Sequence, residues 1–179
     1  MTLYRFSASA NAAGDVGLYK VTFKISSSTS AVISNFNLYG YSDSGFSVQA
    51  YSANPVNWGA ASRQTDGTVE IYFNPLRVGA NTSVQIPASA TRYFELRGTV
   101  SSAVAGNVVS VSLEGDEGFM LLDSAYNIDN PVSVLFPQDD FIWSGNTFTT
   151  SGVSALDWTN GYAIPGLPSG GMAPQVFSK

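Results

Sequence analysis

The alternation of apolar and polar residues is the feature that most limits what this chain can fold into. In the run YKVTFKI (19–25), every second residue is apolar and the positions between are Lys20, Thr22 and Lys24. Successive side chains of a β-strand point to opposite faces of a sheet. The run therefore predicts a strand with one face in a core and its two lysines on the polar face.

Eight further short runs share this pattern and are separated by turn segments such as SDSG, TDG and EGDEG. They are residues 3–8, 32–41, 46–51, 69–73, 83–86, 92–100, 108–113 and 132–136. No window carries the i, i+3, i+4, i+7 apolar spacing of a longer helix. The sequence predicts an all-β protein, an antiparallel β-sandwich of Ig-like or jelly-roll type.

The composition changes after residue 136, where the alternation fades and Pro and Gly accumulate. We therefore predict a β-sandwich domain over 1–136 and, over 137–179, a partly irregular extension that packs on it and leads to a neighbouring domain or subunit. Prolines in AIPGLPSGG (163–171) lack the N–H that a central strand needs.

Several function classes are disfavoured by composition. The chain has no Cys and no His, which removes thiol nucleophiles and the side chain best suited to proton transfer near neutral pH, so we expect no enzyme and no cofactor. A net charge of -5, with scattered basic residues, argues against a nucleic-acid partner. No stretch approaches the roughly 18 apolar residues of a membrane-spanning helix.

Acidic residues are the candidates for a structural calcium site, because Ca²⁺ prefers hard oxygen ligands. They lie in GDEG (115–118), at Asp123 and Asp129, and in the pair Asp139–Asp140. No stretch matches an EF-hand loop, and solvated turn carboxylates are the alternative that we favour. The adjacent aspartates do not suit a glycosidase pair, since neighbours in a strand point to opposite faces.

Aromatic residues make up 13% of the chain and are the candidates for contact with sugars. The candidates are Tyr39, Tyr41, Tyr51, Trp58, Trp143, Trp158 and Tyr162. The alternative is that these rings pack the core and seal the sandwich ends. Asn160-Gly161 predicts a tight hairpin turn with positive φ that brings Trp158 and Tyr162 together as an end cap, with Trp158 mostly buried.

The segment DDFIWSGNTFTTSGVSALDWTNGYAIPGLPSG (139–170) resembles the end of a β-rich domain in large predicted surface proteins of ultrasmall candidate-phyla bacteria. The matching residues are 140–144, 157–162 and 166–168, and the upstream GLYKVTFKIS and TRYFELRGTV are similar to strands of that family. A His-containing stretch common in the family has no counterpart in 147–155. The resemblance implies an exported, extracellular cell-surface protein of an S-layer-like coat or a fibre, without catalysis.

Only 12% of the residues are charged, so few charges are available to protect the exposed edges of the predicted sheets. We therefore expect a structural cell-surface protein that self-assembles into an extracellular layer or filament. The alternative is an adhesion or carbohydrate-binding module that binds surface glycans through exposed aromatics.

Overall fold

The computed structural model describes residues 1–28, 30–73, 84–119, 139–146 and 158–179. Within these ranges the chain forms antiparallel strands in two packed sheets and no helix, which confirms the predicted all-β sandwich. The strands are β1 (Thr2–Ser9), β2 (Val16–Ser27), β3 (Val32–Tyr41), β4 (Thr68–Tyr72), β5 (Gln85–Ile86), β6 (Thr91–Ser101), β7 (Val108–Leu113), β8 (Phe141–Ser144), β9 (Trp158–Asn160) and β10 (Gln175–Ser178).

The larger sheet is organised around β2. Residues 17–21 of β2 pair with β8 and residues 23–27 pair with β7. Since Lys20 also pairs with β4 and Gly17 with β5, these two strands occupy the opposite edge of β2. The main path of this sheet runs β10-β7-β2-β8-β9, and the smaller sheet has the order β1-β6-β3.

The core lies between the two sheets and is rich in phenylalanine. Phe94, on the central strand of the smaller sheet, is fully buried and stacks on Phe6 with ring centroids 5.1 Å apart. It also meets the ring of Phe73 from the larger sheet at 5.9 Å. The alternation in β2 places Val21, Phe23 and Ile25 against this cluster, as the sequence predicts.

Most of the predicted strands are confirmed, including 32–41 and 108–113 with their predicted bounds. The prediction for 46–51 is wrong, because that segment forms turns with a single bridge between Gln49 and Tyr41. The predicted strand at 132–136 lies outside the described residues.

Three strands lie where the sequence predicts a partly irregular extension. β8 pairs with the first half of β2 and carries β9, and β10 pairs with β7, which lies beside the second half of the same edge of β2. The segment expected to lead to a neighbour therefore turns back and ends in a strand of this same sheet, although the division at residue 136 stays a prediction. Each of these strands has only three or four residues, which is too short to give a period-two signal.

No described part of the chain forms a helix long and apolar enough to cross a membrane.

The substitution Phe94→Ala tests this core. It removes a fully buried ring that contacts both sheets, and we expect a loss of about 3–5 kcal/mol in the free energy of unfolding. Urea unfolding followed by fluorescence measures this loss. The control is Phe119→Ala, which removes a 67% exposed ring and is expected to cost less than about 0.5 kcal/mol. Equal losses for the two variants would contradict the assigned core.

Candidate functional site

The predicted burial of Trp158 is confirmed, since only 2% of the residue is exposed. Its ring packs at 5.3 Å from the ring of Tyr19, which lies on β2. Trp143 is half-buried against the core, and its indole N–H donates to the Asn160 carbonyl at 3.1 Å. Neither tryptophan therefore presents an open ring face of the kind that a sugar platform needs.

The predicted Asn160-Gly161 hairpin turn is wrong. Positive φ occurs later, at Ala163 (61°) and Gly166 (87°), and Tyr162 is 44% exposed rather than packed on Trp158. Gly161 is needed for a different reason: a Cβ there would lie 2.7 Å from the Phe141 Cβ. The Asn-Gly pair thus allows a close approach between β9 and β8 instead of closing a hairpin.

Asp116, in the GDEG segment, joins three parts of the chain. Its carboxylate accepts the backbone N–H of Asp140 at 2.7 Å, of Phe141 at 3.2 Å and of Gly161 at 2.7 Å. The carboxylate lies beyond the end of β7, close to where β8 begins and β9 ends. Since both of its oxygens are occupied by backbone donors, this buried residue has a structural role.

Asp139 is also built into this junction, whereas Glu117, the other acidic residue of GDEG, is exposed. Asp139 is buried and accepts the Asn160 side-chain N–H at 2.9 Å, and Asn160 also donates to the Gly118 carbonyl at 2.7 Å. The described residues contain no group of three or more acidic side chains placed to hold a metal ion. Asp123 and Asp129, the remaining calcium candidates, lie outside the described residues.

Burial disturbs the titration of the neighbouring aspartates. It raises the pKa of Asp140 to about 6, and the negative charge of Asp116 adds to this increase while Lys20 opposes it. Burial also raises the pKa of Asp139, against the hydrogen bond from Asn160. Both carboxyl groups are therefore destabilised in their ionised form.

Lys20 lies on the predicted face of β2, opposite the core between the sheets, but this face is covered at Lys20 rather than solvated. It points away from the core between the sheets, as the alternation requires, yet it is fully buried. Its Nζ lies 2.7 Å from Glu70 Oε1 and 5.7 Å from the centre of the Tyr72 ring. A buried ammonium is tolerated because it is paired with a carboxylate.

The remaining aromatic candidates are divided between core and surface. Tyr51 is half-buried, stacks near Phe94 at 6.4 Å and donates its hydroxyl to the Gln85 carbonyl at 3.0 Å. Trp58 is 48% exposed on the segment after β3. Tyr39 and Tyr41 lie on the outer face of the smaller sheet, where they belong to a cluster of charged and aromatic side chains.

We call this cluster the arginine–aromatic face. It consists of Arg5, Tyr39, Tyr41, Phe46, Tyr93, Glu95 and Arg97. Glu95 is the centre, since Arg5 is its register partner on β1 and Tyr39 is its partner on β3. The ring of Phe46 contacts Tyr41 at 5.7 Å and Tyr93 at 6.0 Å, both edge to face.

Two guanidinium groups cover the Glu95 carboxylate, which is 1% exposed. Arg5 donates from Nε at 3.0 Å and from Nη2 at 2.7 Å to Oε1, and Thr2 donates its hydroxyl to the same oxygen at 2.7 Å. Arg97 donates from Nε to Oε2 at 2.6 Å. Burial raises the pKa of Glu95, but these hydrogen bonds outweigh it and the net shift is downward.

Each guanidinium also lies over an aromatic ring. Arg5 Cζ is 4.3 Å from the centre of the Phe46 ring, and Arg97 Cζ is 4.5 Å from the centre of the Tyr39 ring. Contacts of this length are typical of cation–π pairs. The two arginines are thus held by a carboxylate below and a ring beside them, which fixes their orientation.

Phe46 adopts a positive φ of 55°, which is unfavourable for a residue with a bulky side chain. Asp43 holds this turn, because its carboxylate accepts the N–H groups of Ser47 at 3.1 Å and Val48 at 2.6 Å, and the Ser47 hydroxyl at 2.9 Å. The Val48 bond contributes most to lowering the pKa of Asp43. The Asp43 hydrogen bonds therefore stabilise a strained backbone that places the Phe46 ring against Arg5.

One long side of the sandwich is closed by the segment that follows β3. At the edge of β3, the Asn54 side chain accepts the Gly40 N–H and donates to the Gly40 carbonyl, and the Asn57 side chain accepts the Leu38 N–H. The same segment then pairs with β4, where the backbone N–H of Trp58 donates to the Tyr72 carbonyl at 2.6 Å. The edges of both sheets are covered here.

The other long side is closed only in part. The Gln175 side-chain amide accepts the Arg5 N–H at 3.2 Å and donates to the Arg5 carbonyl at 2.9 Å, which caps the edge of β1. Among the described residues, β10 itself pairs with β7 alone. The backbone N–H of Lys179 donates to the Asn107 carbonyl, and its carbonyl accepts the Gly106 N–H, just before β7. Backbone groups alternate in direction along a strand, so the N–H and carbonyl groups of Val176 and Ser178 point outward.

The arginine–aromatic face and the open β10 edge are features that reading the sequence missed. A signal for the first exists: Tyr93, Glu95 and Arg97 alternate with the buried Phe94 and Leu96 in a chain with few charges. No comparable signal marks β10.

Comparisons of the chain with models of known protein families, with curated proteins and with solved structures give no match. The resemblance to bacterial surface proteins therefore stays a prediction. The geometry of the described residues is the basis for a functional proposal.

Asp140→Asn tests the electrostatics of the Asp116 junction. Because the pKa of Asp140 is raised, the native state holds this proton to higher pH than the unfolded chain, and its contribution makes stability fall as pH rises from about 4 to about 6. Removing the charge is expected to raise the free energy of unfolding at pH 7 by about 1 kcal/mol and to leave it unchanged at pH 4.

Urea titrations at both pH values measure the difference between Asp140→Asn and the parent protein. The control is Asp66→Asn, since hydrogen bonds from Thr68 lower the pKa of Asp66 and its removal brings no gain at pH 7. A loss of stability at pH 7 in Asp140→Asn would contradict the assigned environment. The pKa of Asp139 is also raised, so its contribution to the fall of stability with rising pH is present in both variants.

Proposed function

We propose that this protein is a structural subunit or domain of an extracellular, cell-surface layer or filament, and that its copies join through the outer edge of β10. The observation that carries the proposal is the outward-pointing backbone of Val176 and Ser178, which no described residue pairs with. Such groups are a template for pairing with another strand. In this proposal the strand that pairs with them is β10 of a second copy of the same chain.

The composition of β10 supports this role. Open edges in monomeric proteins are usually protected by charged side chains, by Pro, by bulges or by being very short, and of these protections β10 has only the last, with four residues. β10 consists of Gln, Val, Phe and Ser, and Val176 is 59% exposed. An antiparallel pair of identical edges is self-complementary under two-fold symmetry, so two β10 strands can join two larger sheets into one dimer, and the proposed layer or filament then grows from such dimers through a second contact.

The surface beside this edge is also suited to association. On the outward face of the sheet, Val176 lies beside Ser110 and Ser178 lies beside Val108. These small side chains bear no charge and leave a flat surface with little electrostatic repulsion between copies. The burial of Trp158 agrees with a structural role for that ring and does not support it as part of a sugar platform.

Val176→Lys tests the proposed interface. A lysine at this position places like charges near each other when two β10 edges pair, and we expect the association constant to fall at least about tenfold. Sedimentation velocity over a range of protein concentrations measures the constant, and electron microscopy identifies layers or filaments in the parent protein.

The matched control is Val48→Lys. Val48 is 56% exposed, as Val176 is, but lies on the turn after β3, so the same substitution is expected to leave association unchanged. A parent protein that stays monomeric at the highest attainable concentration would refute self-assembly. Equal effects of the two substitutions would refute the β10 edge as its site.

A further inference from the structure

The arginine–aromatic face has a positive charge in excess, in a chain whose net charge is -5. Arg5 and Arg97 contribute two positive charges, and Glu95 neutralises one of them. Their side chains are 48% and 44% exposed, whereas Glu95 is buried beneath them. The face is therefore matched to a ligand that brings one negative charge.

Both arginines keep donors available for such a ligand. Arg5 engages Glu95 through Nε and Nη2, and Arg97 uses the same two atoms toward Glu95 and the Tyr41 hydroxyl. Among the described residues, no acceptor binds either Nη1. A guanidinium has five N–H donors in a fixed fork, and a carboxylate is the acceptor that matches it best. The pair can therefore hold one carboxylate from two sides.

The rings beside the arginines add an apolar contact. Phe46 and Tyr39 each have a guanidinium over one ring face and are only half-buried, so part of each ring stays exposed next to that guanidinium. The C–H face of a sugar ring packs on such aromatic surfaces, whereas a small inorganic anion gains nothing from them. The strained backbone at Phe46, held by Asp43, fixes this ring in place before any ligand binds.

We propose that the arginine–aromatic face binds a carboxylated sugar residue of a glycan, with the carboxylate between Arg5 and Arg97 and the sugar ring against Phe46 and Tyr39. A nucleic acid or another dense polyanion is disfavoured by the net charge of the protein and by the single excess positive charge of the face. The side chains of this site lie on the outer face of the smaller sheet, whereas the β10 edge belongs to the larger sheet and, among the described residues, touches the site only through the hydrogen bonds of Gln175 to the Arg5 backbone.

A matched pair of ligands tests the proposal. Methyl glucuronide and methyl glucoside differ in having a carboxylate or a hydroxymethyl group on the same ring. In titrations of the full chain followed by amide NMR shifts, we expect the glucuronide to perturb β1, β6 and the turn at 43–48. We expect affinity for the glucoside to be at least about tenfold weaker, a difference of about 1.4 kcal/mol.

Acetate and methyl phosphate are the control ligands that carry an anionic group but no sugar ring. Binding of either as tightly as the glucuronide would overturn the sugar part of the proposal, and binding of the glucoside as tightly would overturn the carboxylate part. The proposal as a whole would be overturned if the glucuronide left the amide shifts unchanged. It would also be overturned if the protein self-associated through this face in a salt-sensitive way and Arg97→Lys abolished that association.

Two variants and one control locate the site. Arg97→Lys keeps the positive charge but loses the forked donors of the guanidinium, and Phe46→Gly removes the ring at a position where glycine accepts the backbone φ without strain. Each is expected to weaken glucuronide binding at least about fivefold, since each removes one of the contacts on which binding depends. Lys24→Gln removes one positive charge from the larger sheet and is expected to leave binding unchanged.

The double variant Glu95→Gln/Arg97→Gln covers the case in which Arg97 variants unfold. It removes the buried carboxylate together with one of its partners, so no unpaired charge stays buried, and the remaining Arg5 is 48% exposed and can be solvated. A folded double variant that binds glucuronide as well as the parent protein would overturn the assignment of Arg97 to the site.

Discussion

β2 is the element on which the other strands of the larger sheet depend. Its 12 residues pair with β7 and β8 along one edge and with β4 and β5 along the other. Two strands placed end to end along one partner leave a break between them. Asp116 lies close to that break, and its carboxylate binds the N–H groups of Asp140 and Phe141 at the start of β8 and of Gly161 after β9, which holds the two strands in place there.

The part of the fold that the sequence predicts is the part in which period-two alternation extends over five residues or more. The run containing Val21 and Phe23, and the strands β3 and β7, follow from this pattern. β8, β9 and β10 do not, because they are short and their place is set by the neighbours they pair with. The segment around Phe46 misleads because its apolar ring packs outward on an arginine instead of inward on the core.

The site was less accessible to prediction than the fold. Arg5 and Glu95 are 90 residues apart, and only the register between β1 and β6 brings them together. Lys20 shows a related limit: alternation gives the face of a side chain but not whether that face is covered. For Asn160 and Gly161, a common turn motif is used for close packing and buried hydrogen bonds, which residue types alone do not reveal.

The Gln175 clamp on Arg5 has a consequence for the order of folding. It joins positions 170 residues apart, and the Asp116 contacts span 24 and 45 residues, so these links form only after long loops have closed. β10 is held by β7 and by this clamp, and its outward groups acquire their spacing only once both are in place. A chain still folding therefore does not yet possess the edge, so in the proposed assembly a copy could join only after its own monomer fold is complete.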